Sequence, residues 1–196
     1  MHLFSGEKKL KDTMEYAGDY ETVLRKDKKG RMRKKAVYKG HWFFVLNEKK
    51  ACRLYMFASA GLSVLCFVLL LAAQLVNFTC DGCGFVTIPL VLSLFPALFT
   101  LFSLEHLPFG AKPMERAGYM NGIIRISRLS AVSAILSGVS VAAEFVYRAV
   151  VSLWDFTGKD ILHLLFSLAA AASAVSVILI LHRIEISEHE NEDYMP

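Results

Sequence analysis

The fold class is decided by the stretch LYMFASAGLSVLCFVLLLAAQLVNF, Leu54–Phe78, whose 25 residues include no charged side chain. Roughly 20 apolar residues of helix are needed to cross the hydrocarbon core of a bilayer. Backbone N–H and C=O groups find no water in lipid, so a stretch this long is stable there only as a helix. Leu54–Phe78 is therefore predicted to be a transmembrane helix.

Three more stretches of the same kind follow along the chain, at Phe85–Leu104, Ser127–Val151 and Ile161–Leu181. They raise the hydrophobic share of the 196 residues to 55%, whereas soluble domains average roughly 45–50%. The chain is therefore expected to be an all-α integral membrane protein, with a bundle of four transmembrane helices over residues 51–183.

The two ends of the chain differ from this bundle in charge. Fourteen of the 22 Lys and Arg residues lie in a basic head at 1–50, whereas the tail at 184–196 is acidic. Within the head, Tyr20–Arg25 and Met32–Val45 are compatible with strands around a polar turn, which predicts a small β-hairpin. The tail is expected to lack fixed structure and to contact the head loosely through opposite charge.

Basic residues also mark one side of the membrane. They flank the predicted helix ends that share a side with the head, at Arg53, Lys112, Arg116, Arg125, Arg128 and Arg183. Loops rich in Lys and Arg remain in the cytoplasm. The sequence therefore predicts a multi-pass cell-membrane protein with both termini cytoplasmic.

The basic charge of the head is densest at residues 25–39, which hold nine Lys or Arg and one Asp. One interpretation is charge that only sets topology. The other is a patch for anionic lipid head groups, which attract juxtamembrane basic residues by about 1 kcal/mol each. The candidates for lipid contact are Lys28, Lys29, Arg31, Arg33, Lys34 and Lys35. Nucleic acid is not expected as a partner, because no reading motif is present.

Serine recurs every three or four residues along the third predicted helix and leads to Glu144. The stripe consists of Ser127, Ser130, Ser133, Ser137 and Ser140. In lipid, close backbone approach and polar contacts associate helices more than burial of leucine does. The third helix is therefore expected to be central and to pack on the first and fourth helices.

Glu144 and Arg148 are ionisable residues inside the third stretch, spaced for an ion pair across one helical turn. Ionisable groups within a span are candidates for function. Gln74 and Asn77 close the first helix at the same level and His163 opens the fourth, so these five residues define a candidate polar pocket. The alternative is a simple ion pair at the membrane interface. No metal-ligand spacing surrounds His163, and neither a metal nor a cofactor is expected.

A CxxC motif, Cys80-Asp81-Gly82-Cys83, lies in the predicted turn between the first two helices, on the side opposite the head. Two thiols at this spacing before a helix favour the reactive thiolate, and disulfides persist outside the cytoplasm. Cys80 and Cys83 are therefore candidate catalytic residues. The alternatives are a static disulfide that closes the turn and two free thiols.

In chain length, topology and this motif, the protein resembles the disulfide-generating membrane oxidoreductases that pass electrons to quinone. The resemblance implies that Cys80 and Cys83 exchange disulfides with an exported partner. That family uses a second pair of cysteines on the outer face of the membrane. The chain departs from this pattern, because Cys52 and Cys66 are not expected on the outer face. It also has no arginine shortly after Cys83.

Three functions compete. The leading interpretation is a non-enzymatic accessory subunit or scaffold, because neither a nucleotide-binding loop nor a catalytic-triad pattern is visible. Its partners would be the bilayer, anionic lipid, and a membrane protein or a second copy of the chain. The alternatives are a thiol oxidoreductase built on the CxxC motif, and a small oligomeric transporter or channel built on the serine stripe and Glu144.

Overall fold

The computed structural model describes residues 16–26, 32–76, 82–109, 113–151 and 156–189. Four long helices dominate it: α1 (Lys49–Leu75), α2 (Gly84–Ser103), α3 (Arg125–Val150) and α4 (Gly158–His182). Each is long and apolar enough to cross a membrane. The expectation of a mostly helical protein with four candidate membrane spans is therefore confirmed.

The helix bounds differ most from the prediction at the start of α1. This helix begins at Lys49, five residues before the predicted apolar run, because the helix continues through charged residues that a hydropathy criterion excludes. At the third span the helical chain starts earlier still. A short turn at Arg116–Tyr119 and a π-helical turn at Met120–Ile124 lead directly into α3.

The helices pack in the order in which they follow along the chain. α1 packs on α2 and α4, and α3 packs on the same two helices, so α1 and α3 lie diagonally opposite each other among the described helices. The prediction that the third helix is central and packs on the first is therefore wrong. Short connections make consecutive helices antiparallel neighbours, and in this closed arrangement no helix is central.

Polar side chains face the inside of the bundle and large apolar ones face outward. Ser133, Ser137 and Ser140 of the predicted stripe are buried, whereas large side chains such as Phe57 and Val146 are more than 60% exposed. This distribution is the one expected when lipid covers the outside, because packing and polar contacts then hold the helices together.

Two serines of α3 reach carbonyl oxygens of α2. The recipient helix contains two prolines seven residues apart, Pro89 and Pro96. Proline lacks the N–H of a helical hydrogen bond and opens the turn before it. Within those two turns, Ser140 Oγ donates to the Val86 carbonyl at 2.7 Å and Ser133 Oγ donates to the Ser93 carbonyl at 3.3 Å. The carbonyls that the two prolines leave without a helical N–H are those four residues earlier, at Phe85 and Leu92, so each serine bonds to the carbonyl next to one of them.

A three-stranded antiparallel sheet covers one end of the bundle, which we call the sheet end. Its order is β4 (Met114–Glu115), β3 (Trp42–Val45) and β5 (Ile186–His189). It joins the segment before α1, the connection between α2 and α3, and the segment after α4. The prediction that the tail lacks structure is therefore wrong for Ile186–His189.

The tail contacts the head through more than backbone pairing. Glu188 Oε1 lies 3.3 Å from His41 Nδ1, and the Asn47 side chain accepts from the Glu185 N–H at 2.8 Å. The acidic composition of the tail alone favours disorder. Backbone pairing with a strand that is distant in sequence nevertheless gives part of the tail a fixed structure.

In the head, β1 (Tyr20–Lys26) pairs with β2 (Met32–Tyr38) in antiparallel register. The second stretch expected for the hairpin, Met32–Val45, is divided, because its last residues form β3 in the other sheet. We refer to the pair of β1 and β2 as the hairpin. Its base is anchored to the sheet end. Tyr20 donates its hydroxyl hydrogen to Glu115 Oε2 at 2.5 Å, and the backbone N–H of Arg116 donates to the Tyr38 hydroxyl at 2.9 Å. That this head is cytoplasmic stays a prediction.

A glycine permits close contact within the sheet end. Gly122, in the π-helical turn before α3, lies against the backbone of the turn Leu104–His106 that follows α2. A Cβ atom at this position would lie only 2.7 Å from the His106 carbonyl oxygen. The absence of a side chain is therefore what allows these two segments to touch.

Candidate functional site

Four ionisable side chains meet at the end of the bundle opposite the sheet end. Glu144 and Arg148 are one turn apart on α3, and Asp160 and His163 lie in the first turns of α4. None of the four is more than 1% exposed. We refer to these residues as the ionic tetrad.

Arg148 joins the two carboxylates of the ionic tetrad. Its Nη2 atom lies 2.8 Å from Asp160 Oδ1 and 3.1 Å from Glu144 Oε1. The other Glu144 oxygen, Oε2, lies 2.9 Å from His163 Nδ1. The tetrad is therefore a continuous chain of polar contacts from α4 to α3 and back to α4.

Local sequence fixes the position of Asp160. Thr157 caps the N-terminus of α4, and Asp160 is the third residue of the helix, so the two form a capping box. Asp160 Oδ2 accepts from the Thr157 N–H at 2.8 Å and from the Thr157 hydroxyl at 2.6 Å. The remaining oxygen, Oδ1, is left to face Arg148.

An aromatic ring covers the guanidinium group. The Cζ atom of Arg148 lies 4.4 Å from the centroid of the Phe156 ring, which is the geometry of a cation–π contact. Phe156 belongs to the connection that leads into α4. Arg148 is therefore held by α3, by α4 and by the chain between them.

The ionic tetrad combines two carboxylates with one guanidinium group and one imidazole ring. Burial of an uncompensated charge away from water is costly, so the contacts that Arg148 makes with both carboxylates are important for the stability of the site. The distance between His163 Nδ1 and Glu144 Oε2 suits an Nδ1–H that donates to the carboxylate, and a neutral ring with its hydrogen on Nδ1 offers this donor.

The candidate polar pocket of the sequence is partly assembled by the structure. Glu144, Arg148 and His163 come together, and Asn77 lies outside the described residues. Gln74 is half-buried near the end of α1, and its Nε2 atom has no hydrogen-bond partner in the described part of the chain. The ion pair of Glu144 and Arg148 is fully buried within the bundle, and its depth in the membrane stays a prediction.

Asp160 belongs to the site but is missing from the predicted residues. It directly precedes the fourth predicted stretch, Ile161–Leu181. The spacing Thr157-Gly158-Lys159-Asp160 could have identified it, because a threonine followed three residues later by an acidic residue is typical of a capping box. The contact with Arg148 could not have been read from local sequence.

The CxxC motif is described only at its second thiol. Cys83 is a free, half-buried cysteine immediately before α2, and its carbonyl accepts the Val86 and Thr87 N–H groups. Cys80 lies outside the described residues. Thiol–disulfide exchange at this motif stays a hypothesis.

Three of the six predicted lipid-contact residues lie on β2. Lys34 lies on β2 and is exposed, and Arg33 and Lys35 are part of the same strand. Lys28, Lys29 and Arg31 lie outside the described residues. Lipid contact by these residues stays a prediction.

The bundle also contains a small cavity where all four helices meet. Each helix contributes lining side chains, among them Ser63, Thr100, Ser130 and Val177. Within the described ranges, no group of three His, Cys, Asp or Glu side chains is placed to hold a metal ion. In comparisons with protein-family models, curated proteins and solved structures, the chain has no match.

Proposed function

We propose that the chain is a multi-pass membrane protein that acts as a non-enzymatic accessory subunit or scaffold. The observation that carries this proposal is that the most buried charged groups, together with two interior serines, link one helix to another. The ionic tetrad joins α3 to α4, and Ser133 and Ser140 join α3 to α2. Polar groups that bond from one helix to another favour the interpretation of a rigid bundle over that of a substrate-binding site.

The sheet end is then the part that meets partners. It gathers both ends of the described chain, and it carries the basic hairpin. The positive-inside rule places such a basic region in the cytoplasm together with both termini. The partners proposed for it are anionic lipid head groups and a membrane protein or second copy of the chain.

Complementation of a strain that lacks the chain tests this proposal. Cys83→Ser and Glu144→Gln are expected to restore function whenever immunoblots show wild-type protein levels. Removal of the hairpin, residues 20–38, is expected to abolish function at unchanged levels. Loss of function in Cys83→Ser or Glu144→Gln, with normal protein levels, would contradict a non-enzymatic role.

Proton-linked transport by an oligomer is a second candidate function, and the ionic tetrad favours it. Glu and His side chains within a span are typical of proton relays, and Glu144 Oε2 lies 2.9 Å from His163 Nδ1. Liposomes that contain the purified full chain and a pH-sensitive dye test this function. Proton flux that is present in the wild type and absent in Glu144→Gln would support transport over the scaffold, and flux equal to that of empty liposomes would exclude it.

A further inference from the structure

The hairpin has two faces, and the register of its strands assigns residues to each. Positions two residues apart along a strand share a face, and directly paired positions on neighbouring strands do so as well. One face, which we call the anchored face, includes the pairs Tyr20–Tyr38, Leu24–Lys34 and Lys26–Met32. Val23 belongs to the opposite face.

The base of the anchored face is turned towards the helices. Tyr20 and Tyr38 bond to Glu115 and Arg116, and Arg116 is the first residue of the helical segment that forms the third candidate span. Because the strands are continuous, the rest of the anchored face extends from this contact. The anchored face therefore begins at a contact with the membrane-spanning part of the molecule.

Beyond the tyrosines, the anchored face combines large apolar side chains with lysines. Leu24 is 58% exposed and Met32 is 60% exposed, and each is paired directly with an exposed lysine, Lys34 or Lys26. Apolar side chains beside basic ones are typical of surfaces that lie in the head-group region of a membrane. A lysine near the surface of an anionic membrane is attracted to it by about 1 kcal/mol.

We propose that the outer half of the anchored face lies on the anionic lipid surface next to the sheet end. Leu24 and Met32 enter the head-group region, and Lys26 and Lys34 contact lipid phosphates. Two features favour lipid over a protein occupant: the face continues from an existing contact with the bundle, and each of its exposed apolar side chains is paired with an exposed lysine. The inference rests on the proposed role of the basic head.

Spin labels on the full chain in nanodiscs test this contact. A single cysteine is introduced at Leu24 in a background whose four native cysteines are serine, and Val23→Cys on the opposite face is the matched control. Accessibility to a water-soluble nickel reagent is measured in zwitterionic discs and in discs that contain anionic phosphatidylglycerol. Met32→Cys provides a second site if Leu24→Cys fails to purify as a folded protein.

The label at Leu24 is expected to be protected only in anionic discs, and the label at Val23 to be accessible in both. High salt should restore accessibility at Leu24, because it screens exposed charges. Replacing Lys34 by Ala should weaken the contact roughly fivefold in its equilibrium constant. Equal accessibility of Leu24 in both discs, equal protection in both, or protection of Val23 as well would overturn the inference.

A separate measurement distinguishes this inference from the proposed function. Both leaflets of a nanodisc have the same composition, so the contact is tested whatever the topology. Impermeant maleimide applied to intact cells that carry Lys34→Cys, in the background whose four native cysteines are serine, reports the sidedness of the head. Labelling from outside would overturn the proposed cytoplasmic head and leave the lipid contact standing.

Discussion

Arg148 Nη2 lies 2.8 Å from Asp160 Oδ1, and both side chains are fully buried although they belong to different helices. The contact closes the end of the bundle at which α3 turns into α4. Since Glu144 Oε1 also contacts Arg148, one cation serves two buried carboxylates. Removal of that cation should therefore affect the bundle more than removal of either anion.

Replacing Arg148 by Met should lower the free energy of unfolding by about 3–5 kcal/mol, because two carboxylates would remain buried without their partner. The matched control is Glu144→Gln, which leaves Arg148 paired with Asp160 and should cost clearly less. Thermal unfolding of the two proteins in detergent measures the difference. Equal losses would show that charge balance does not govern this site.

The serines that reach α2 should contribute to stability individually. Ser140→Ala is expected to cost about 0.6–1.7 kcal/mol, the range for hydrogen bonds between membrane helices, and Ser133→Ala less, because its bond is longer. Ser137→Ala is the control, since Ser137 donates to carbonyls of its own helix. Denaturant unfolding in micelles checks this order of stability losses. A loss for Ser137→Ala equal to that for Ser140→Ala would contradict it.

Tyr20→Phe should loosen the base of the hairpin. Loss of the hydrogen bond to Glu115 is expected to cost about 1 kcal/mol, and hydrogen exchange should become faster throughout β1 and β2. Unchanged exchange rates would mean that the contact does not hold the hairpin. Exchange in α3 and α4 serves as the internal control, because those helices do not depend on this contact.

The same contact predicts a dependence on alkaline pH. Burial, followed by the hydrogen bond to Glu115, raises the pKa of Tyr20, and burial also raises the pKa of Tyr38. The neutral phenols therefore contribute stability that is fully present below the ordinary tyrosine pKa of about 10 and is lost as the pH rises through the folded-state values. Ultraviolet absorbance of tyrosinate should show that a fraction of the tyrosines titrates above the ordinary tyrosine pKa. Tyr20→Phe should reduce that fraction.

Gly122→Ala should destabilise the sheet end. The added methyl group would lie 2.7 Å from a backbone oxygen of His106, and overpacking of this kind costs about 1–3 kcal/mol. Gly138→Ala is the control, because nothing lies within 4 Å of its Cβ position and alanine favours helix over glycine by about 1 kcal/mol. A melting temperature lowered equally by both would refute the steric explanation.

The sequence was sufficient for features that depend on neighbouring residues. Length and hydropathy located the four helices, and alternation around a polar turn located the hairpin. Which helices pack together depends instead on contacts between distant residues, so α2 was overlooked as a partner of α3. For the same reason Asp160 and the strand Ile186–His189 were missed: one acquires its role from Arg148 and the other from pairing with Trp42–Val45.

The three-stranded sheet also sets the order in which the molecule can be completed. Its central strand, Trp42–Val45, is synthesised before all four helices, and Ile186–His189 is synthesised after them. At about 5–20 residues per second, the central strand waits on the order of 10 s for this neighbour. Until then one strand edge stays open to other chains. A product truncated within α4 lacks Ile186–His189 and therefore keeps that edge open.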